Sequence, residues 1–422
     1  MSAIQASLSV WLFVSYGGGH VKALLPVAQR VRELGLAQPV YLALTTAAQV
    51  VRQAGLPVLG FQDFITAADE RARRKGDELA GQLSVQASER AESIAYLGLS
   101  YVDLENRLGP QAAADLYRQY GRQAFLPLGI LERVIRRCRP SLVVATNSPR
   151  AEQAAIQTAR DMGVPSVCLV DLLGIWERDL LARPDYADAV CVLNDAVRDT
   201  LLQAGRPPTD VRVTGNPAFD TVRDPAMIAA GRACRQQAGW NSLHVLMYAS
   251  SPEPASIPGV AGIGDPSFPR RIERALIEAV RANPALALWV RRHPSEAPAD
   301  ALMAESHPRI RVSPSEMPLH ACIHASDEVV VTVSTVGVEA SLAGKSVTQV
   351  RGSILDHLSP YLAMRLADRE LTLDQLPGAY AQITPGSQIA TSRPAESDAP
   401  TCNATGLVVQ VLQSVQERHR GP

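Results

Sequence analysis

Short apolar runs alternate with segments of helical periodicity through the first half of the chain. Residues 8–15 form an apolar run of strand-forming residues, three glycines follow, and residues 21–34 carry apolar side chains at helical spacing. This alternation predicts a parallel, doubly wound α/β sheet. Its strands are expected at residues 8–15, 40–44, 56–58, 141–146, 164–170, 189–193 and 211–214.

A second series of the same kind follows. Its apolar runs lie at residues 243–249, 286–291, 310–312, 328–332 and 346–350, with helical segments between them. Because 422 residues exceed what one hydrophobic core holds, we expect two Rossmann-like domains. The expected boundaries are an N-terminal domain at 1–216 with a polar helical insertion at about 67–137, a C-terminal domain at 217–403, and a closing helix and tail at 404–422.

Composition narrows the class of partner. The 41 Lys and Arg nearly balance the 42 Asp and Glu, so the protein has no strong overall electrostatic field that would attract nucleic acid or anionic lipid. Any anion-binding site must therefore be local. The six cysteines contain no CxxC pair, which favours thiols in a reducing cytoplasm over disulfides or a metal cluster. The first residues have no basic leader, and their apolar stretch is too short to cross a bilayer. We expect a cytoplasmic protein, with peripheral association at the inner face of the membrane left open.

Gly17, Gly18 and Gly19 lie between the first strand and the first helix, with His20 directly after them. Backbone N–H groups at such a turn favour an anionic or oxygen-rich ligand. A tight turn that needs small residues explains the glycines equally well. His20 points toward the ligand-binding edge of the sheet, so we expect it to contact substrate.

Two further segments follow strands of the second series. Arg291, Arg292 and His293 come directly after residues 286–290. At this edge of the sheet, phosphate binding explains an Arg/His group better than a solvent-exposed basic loop does. Ser334 and Thr335 precede a helix that contains Gly337 and Glu339. The two hydroxyls suit helix capping, phosphate binding or both. Glu339 is either a helix-terminal acid or the acceptor for a ribose diol.

These segments together resemble known families. Ser334-Thr335, Glu339 and Gly344-Lys345 look like the donor-binding helix of GT-B glycosyltransferases and of UDP-N-acetylglucosamine 2-epimerases. The glycines before His20 resemble those of murein N-acetylglucosaminyltransferases, and residues 213–217 (VTGNP) resemble the interdomain crossover of the superfamily. Arg292-His293-Pro294 is similar to the His-Pro motif of bacterial sialyltransferases, Kdo transferases and teichoic-acid polymerases.

The resemblance implies the GT-B fold, with two Rossmann-like domains facing each other across a cleft. It implies a UDP- or CMP/CDP-linked sugar donor held by the C-terminal domain and a glycan or lipid-linked acceptor held by the N-terminal domain. The reaction would be metal-independent glycosyl transfer without a cofactor, in bacterial cell-surface polysaccharide biosynthesis. Nucleic acid is not an expected partner.

Such a transfer needs a group that removes the acceptor hydroxyl proton. Asp171, Glu177 and His20 are the candidates, and the sequence does not rank them; Asp171 could equally cap a helix. The family's paired acidic motif is incomplete, because Leu172 follows Asp171. The epimerase-type Arg-Glu-Asn and His-Arg segments are missing, which argues against epimerisation. A 2-epimerase or hydrolase and a non-catalytic nucleotide-sugar-binding scaffold remain the alternatives.

Overall fold

A computed structural model of the chain describes residues 8–81, 90–257, 260, 262–293, 295–296, 307–313, 316–384 and 403–420. The chain divides into two compact units. The N-terminal unit comprises Met1–Ala218 and Asn403–Pro422, and the C-terminal unit comprises Phe219–Cys402. Each unit is built around one parallel sheet, so the predicted pair of Rossmann-like domains is confirmed.

The N-terminal unit holds a seven-stranded parallel sheet in the order β3-β2-β1-β4-β5-β6-β7. Most residues of its central strands are buried, because helices pack on both faces of such a parallel sheet. The order reverses direction between β1 and β4, which is the point where doubly wound sheets bind ligands. The strands are β1 (Val10–Ser15), β2 (Gln38–Ala43), β3 (Val58–Leu59), β4 (Leu142–Thr146), β5 (Ser166–Leu169), β6 (Ala189–Val192) and β7 (Val211–Val213).

Helices of the N-terminal unit connect these strands and form the predicted insertion. The insertion has its own apolar cluster, which includes Leu79, Leu97, Tyr101 and Phe125. The helices that connect the strands are α1 (Gly19–Glu33), α2 (Ala47–Gln53), α7 (Ala151–Asp161), α8 (Arg178–Leu181) and α9 (Asp195–Gln203). Those of the insertion are α3 (Glu70–Ala80), α4 (Arg90–Leu108), α5 (Pro110–Tyr120) and α6 (Leu128–Cys138).

The C-terminal unit repeats the architecture with six parallel strands in the order β10-β9-β8-β11-β12-β13. Its strands are β8 (His244–Ala249), β9 (Leu286–Arg291), β10 (Ile310–Val312), β11 (Glu328–Val331), β12 (Ser346–Arg351) and β13 (Arg369–Thr372). Its helices are α10 (Pro225–Ala238), α11 (Phe268–Ala282), α12 (Leu319–Ala325), α13 (Val336–Leu342) and α14 (Leu376–Ala381). The edge strand β13 was not predicted, because its sequence Arg-Glu-Leu-Thr contains no apolar run.

The last helix, α15 (Ala404–Arg420), packs on the N-terminal unit. Val408, Val409, Leu412 and Val415 are buried in the same apolar core as α1 and β1. Gln416 donates a hydrogen bond to the Ser141 hydroxyl at 2.7 Å. Of the helices in the described part of the chain, none combines the length and apolar character needed to cross a membrane.

Candidate functional site

The reversal point of the N-terminal sheet gathers polar side chains from three strand ends. His20 is the second residue of α1, which follows β1. Thr146 ends β4, Glu152 lies in the first turn of α7, and Asp171 follows β5. Parallel strands end at a common edge, so residues far apart in sequence meet here.

The glycine turn lets α1 start close to this edge. Gly18 has φ 70° and ψ −133°, a conformation that L side chains rarely adopt. A Cβ on Gly19 would lie 2.8 Å from Oδ2 of Asp171, so a larger residue here would require the Asp171 side chain to move. Gly17 donates its backbone N–H to the Thr45 hydroxyl at 3.2 Å. The turn therefore has a steric reason for its glycines, and a direct binding role for them stays a prediction.

His20, Thr146 and Glu152 form a hydrogen-bonded chain that we call the His20 relay. The Nδ1 atom of His20 lies 2.7 Å from the Thr146 hydroxyl oxygen, and that hydroxyl donates to Oε2 of Glu152. Because a hydroxyl has a single proton, Thr146 must accept from Nδ1–H of His20. Nε2 of His20 is then the unprotonated nitrogen and can accept a proton.

Glu152 is fully buried and anchors the relay. Its Oε1 accepts the backbone N–H of Tyr16 at 2.7 Å, and its Oε2 accepts that of Ser148 at 3.0 Å. Burial raises the pKa of the Glu152 carboxyl, while His20 and these donors oppose the rise. The donors favour the carboxylate form that receives the Thr146 proton.

Two more carboxyl groups lie beside the relay. Oδ2 of Asp171 is 4.0 Å from Nδ1 of His20, and burial raises the pKa of Asp171 against the opposing effect of His20. Asn147 connects the two groups, because its side chain accepts the backbone N–H of Asp171 at 2.7 Å and donates to Glu177 at 3.0 Å. Burial also raises the pKa of Glu177. The structure brings together the three predicted base candidates, and Asp171 caps no helix.

A cavity of about 700 Å³ opens at the ends of β1, β2 and β3, and we call it the N-terminal cavity. His20 is on its wall, with a side chain that is 25% exposed. The other wall residues come from the strand ends, from α2, from α4 of the insertion, from the turn after α5 and from the start of α7. They include Tyr16, Gly17, Thr45, Thr46, Gln49, Arg52, Gln62, Glu92, Ser93, Tyr96, Arg122, Ser148 and Arg150.

The basic cluster of the C-terminal unit is largely paired within the protein. Arg291 donates to the backbone oxygen of Met317 at 2.8 Å. Arg292 donates to the buried carboxylate of Glu273 at 2.7 Å. His293 is exposed, and its neighbour Pro294 lies outside the described residues. Phosphate contact by this cluster stays a prediction, and His293 is the member best placed for it.

The predicted donor helix shows one unexpected pair. Nε2 of His320 lies 2.7 Å from Oε2 of Glu339, with both side chains partly exposed. Thr335 precedes α13 without a side-chain cap, and the Ser334 hydroxyl accepts only a long bond of 3.4 Å from Val336. A Cβ on Gly337 would lie 2.9 Å from the ring of Tyr361, so this glycine permits close packing.

Sequence reasoning did not single out Thr146, Glu152 or His320. For Glu152 a usable signal exists, since the acid follows the polar strand end Thr146-Asn147-Ser148 and starts an otherwise apolar helix face. Within the described ranges, no group of three or more His, Cys, Asp or Glu side chains is placed to hold a metal ion.

No protein-family model matches the sequence, and no curated protein matches it either. Solved structures are similar over nearly the whole chain. The UDP-GlcNAc 2-epimerase of Neisseria meningitidis, bound to UDP-GlcNAc, has a TM-score of 0.54 and 12% identity, covering 96% of this chain and 100% of its own. MurG of Acinetobacter baumannii has a TM-score of 0.53 and 14% identity, with 96% and 99% covered.

The calicheamicin glycosyltransferase CalG4 is similar with a TM-score of 0.56 and 16% identity, covering 98% of this chain and 100% of its own. At these identities the likeness concerns the fold. The chain has the GT-B fold, which is found in both glycosyltransferases and 2-epimerases, and the expected fold resemblance is confirmed.

Proposed function

We propose that this protein is a glycosyltransferase that moves a sugar from a nucleotide donor to a hydroxyl group of a glycan or lipid-linked acceptor. The observation that carries the proposal is the His20 relay, whose imidazole lies on the wall of a ligand-sized cavity. The relay orients one imidazole nitrogen as a proton acceptor, which is the group that hydroxyl attack requires.

In the proposed step, Nε2 of His20 takes the proton of the acceptor hydroxyl while its oxygen forms a bond to the anomeric carbon. The bond from that carbon to the donor phosphate breaks, and the nucleotide leaves with the electron pair. His20 becomes an imidazolium, which the nearby carboxyl groups of Glu152 and Asp171 stabilise at 3.9 Å and 4.0 Å from Nδ1.

The C-terminal unit would bind the nucleotide. Glu339 has one carboxylate oxygen held by His320, which orients the side chain and leaves the other oxygen for a ribose diol. His293 would donate to a phosphate from its exposed position. The donor is expected to be UDP- or CMP/CDP-linked. We place the reaction in the cytoplasm, in the assembly of bacterial cell-surface polysaccharides, without a metal or cofactor.

The test begins with a panel of nucleotides in a thermal-shift assay, because a ligand of the native state raises its stability. The best nucleotide is then supplied as its sugar conjugates, with and without acceptor mixtures. Transfer releases nucleotide only when an acceptor is present. The variant His20→Ala should lose at least about a hundredfold in kcat while nucleotide affinity stays unchanged. His419→Ala, an exposed histidine of the same unit, is the matched control. Unchanged turnover in His20→Ala would remove His20 as the base.

A second candidate is a nucleotide-sugar 2-epimerase or hydrolase. It is favoured by three carboxyl groups with raised pKa values around one imidazole, since elimination or water attack uses a paired acid and base. A proton NMR time course without acceptor distinguishes it, because an epimerised nucleotide sugar or free sugar would then accumulate. A scaffold without activity would bind nucleotide and yield none of these products.

A further inference from the structure

The N-terminal cavity carries an excess of positive charge. Three arginines are on its wall, namely Arg52, Arg122 and Arg150, against the single carboxylate of Glu92. Both oxygens of Glu92 already accept backbone N–H groups, from Phe61 at 2.8 Å and from Gln62 at 2.9 Å. The chain as a whole has a net charge of −1, so the excess of positive charge is local to the cavity wall and does not reflect the overall composition.

The Arg150 side chain packs against an aromatic ring of the cavity wall. Its guanidinium carbon lies 4.6 Å from the centre of the Tyr16 ring, within cation–π distance. Its Nε is buried and has no hydrogen-bond partner within the described residues. No hydrogen bond or ion pair joins the Arg150 guanidinium to another described residue, so its terminal N–H groups on the cavity wall can donate to a bound anion.

The backbone of Arg150 is strained as well. It has φ 76° and ψ −115°, which side chains other than glycine rarely adopt. Strain of this kind persists where the surrounding structure enforces it and is concentrated at ligand-binding sites. The conformation places Arg150 at the start of α7, two residues before Glu152 of the His20 relay.

We propose that the N-terminal cavity binds an acceptor sugar that carries a carboxylate or phosphate group, with Arg150 as the main contact for that group. The inference rests on the proposed function, because it takes the cavity as the acceptor site. Its volume of about 700 Å³ lies in the range of roughly 300–1,000 Å³ that is usual for small-molecule sites. Arginine is the residue best matched to both oxyanions, because its planar fork donates two parallel hydrogen bonds.

The proposal is tested by direct binding, which does not depend on turnover. Methyl glucuronide, glucose 6-phosphate, neutral methyl glucoside and inorganic phosphate are titrated against the full chain by calorimetry. We expect at least one charged sugar to bind the wild type tenfold or more tightly than methyl glucoside. The preferred sugar shows whether the group is a carboxylate or a phosphate. Equal affinity for charged and neutral sugars, or binding of inorganic phosphate alone, would overturn the proposal.

Variants separate binding from folding. Arg150→Gln should abolish the preference for the charged sugar. Arg150→Gly should abolish it too while the melting temperature stays the same or rises, because glycine tolerates the strained backbone. Arg118→Gln changes an arginine of the insertion that is 74% exposed and should leave the preference intact. If both Arg150 variants keep the preference, Arg150 is a structural residue and the proposal fails. If the preference is lost as expected but no transfer is ever detected, the proposed function fails and the anion site stands.

Discussion

Removal of one hydroxyl group tests the His20 relay most directly. Thr146 is fully buried, and valine has nearly its shape, so Thr146→Val creates no cavity. The change removes a hydrogen bond to the charged Glu152, worth about 1.5–3 kcal/mol, and one to His20, worth about 0.5–1.5 kcal/mol. His20 is 25% exposed and can replace its lost partner with water, so we expect a loss near the low end, about 2 kcal/mol.

Hydrogen exchange measured by mass spectrometry reports this loss locally. A decrease of about 2 kcal/mol should speed the exchange of the β1 and β4 amides about thirtyfold where they exchange by opening of the N-terminal unit. Thr158→Val is the matched control, since the hydroxyl of that buried threonine donates a long bond of 3.5 Å to the backbone oxygen of Leu128. Thr146→Ser keeps the hydroxyl and should retain most of the protection.

Nitrogen-15 NMR of the imidazole measures the second consequence. In the wild type, His20 should be the Nδ1–H tautomer, because Thr146 has only its oxygen to offer. In Thr146→Val the preference for the Nδ1–H tautomer should weaken, and the ratio of the two tautomers should approach that of a free imidazole. A wild-type His20 that carries its proton on Nε2, or a tautomer ratio that Thr146→Val leaves unchanged, would refute the relay.

Two further outcomes are expected. Glu339→Ala should lose at least tenfold in ribonucleotide affinity, as each bond from a ribose hydroxyl to a carboxylate is worth about 1.5–3 kcal/mol, whereas a 2′,3′-dideoxynucleotide should bind wild type and variant alike. The two units should also respond oppositely to acid. Burial would raise the pKa of Glu328, but His244, Arg369 and other donors hold that pKa below its usual value. The stabilisation from Glu328 is therefore present above its unfolded pKa and is lost as the pH falls through its folded pKa. The carboxyl groups around His20 have raised pKa values, so the N-terminal unit gains stability from them as the pH falls. Hydrogen exchange of each unit from about pH 7 to pH 4, corrected for the intrinsic rate, checks both signs, and parallel responses would contradict them.

The sheets could be predicted because strands buried on both faces appear as continuous apolar runs. In each predicted series, the apolar run and the helix that follows it are local features of the sequence. Strand β13 was not predicted, because an edge strand is paired on one side only and tolerates charged residues such as Arg369 and Glu370. The order of the strands follows from packing, which no single segment specifies.

The site could be predicted only in part. His20 and Asp171 were recognised because each follows a strand, and strand ends meet at one edge. Glu152 has the ordinary place of an acid in the first turn of a helix, and the polar strand end before it does not specify its contacts with Thr146 and Tyr16. His20 and Thr146 are 126 positions apart, so their hydrogen bond exists only in the folded chain.

The basic cluster has a contact that the sequence did not predict. Arg292 lies at the expected sheet edge, which made phosphate its natural partner in the sequence. In the structure its side chain pairs with Glu273, an acid in α11 that is 1% exposed, and phosphate contact stays a prediction. Position along a strand was predictable, but the direction of a long, flexible side chain depends on which buried charge it must neutralise.

The packing of α15 on the N-terminal core bears on the order in which the protein matures during synthesis. The apolar residues of α15 complete a core whose other members lie before residue 219. A ribosome must therefore translate residues 219–402 before that core can close, which takes roughly 10–40 s at about 5–20 residues per second. The C-terminal unit is continuous in sequence and can finish folding first. During that interval α1 exposes the apolar surface that Val408 and Leu412 later cover, and exposed surface of this kind favours aggregation until α15 is made.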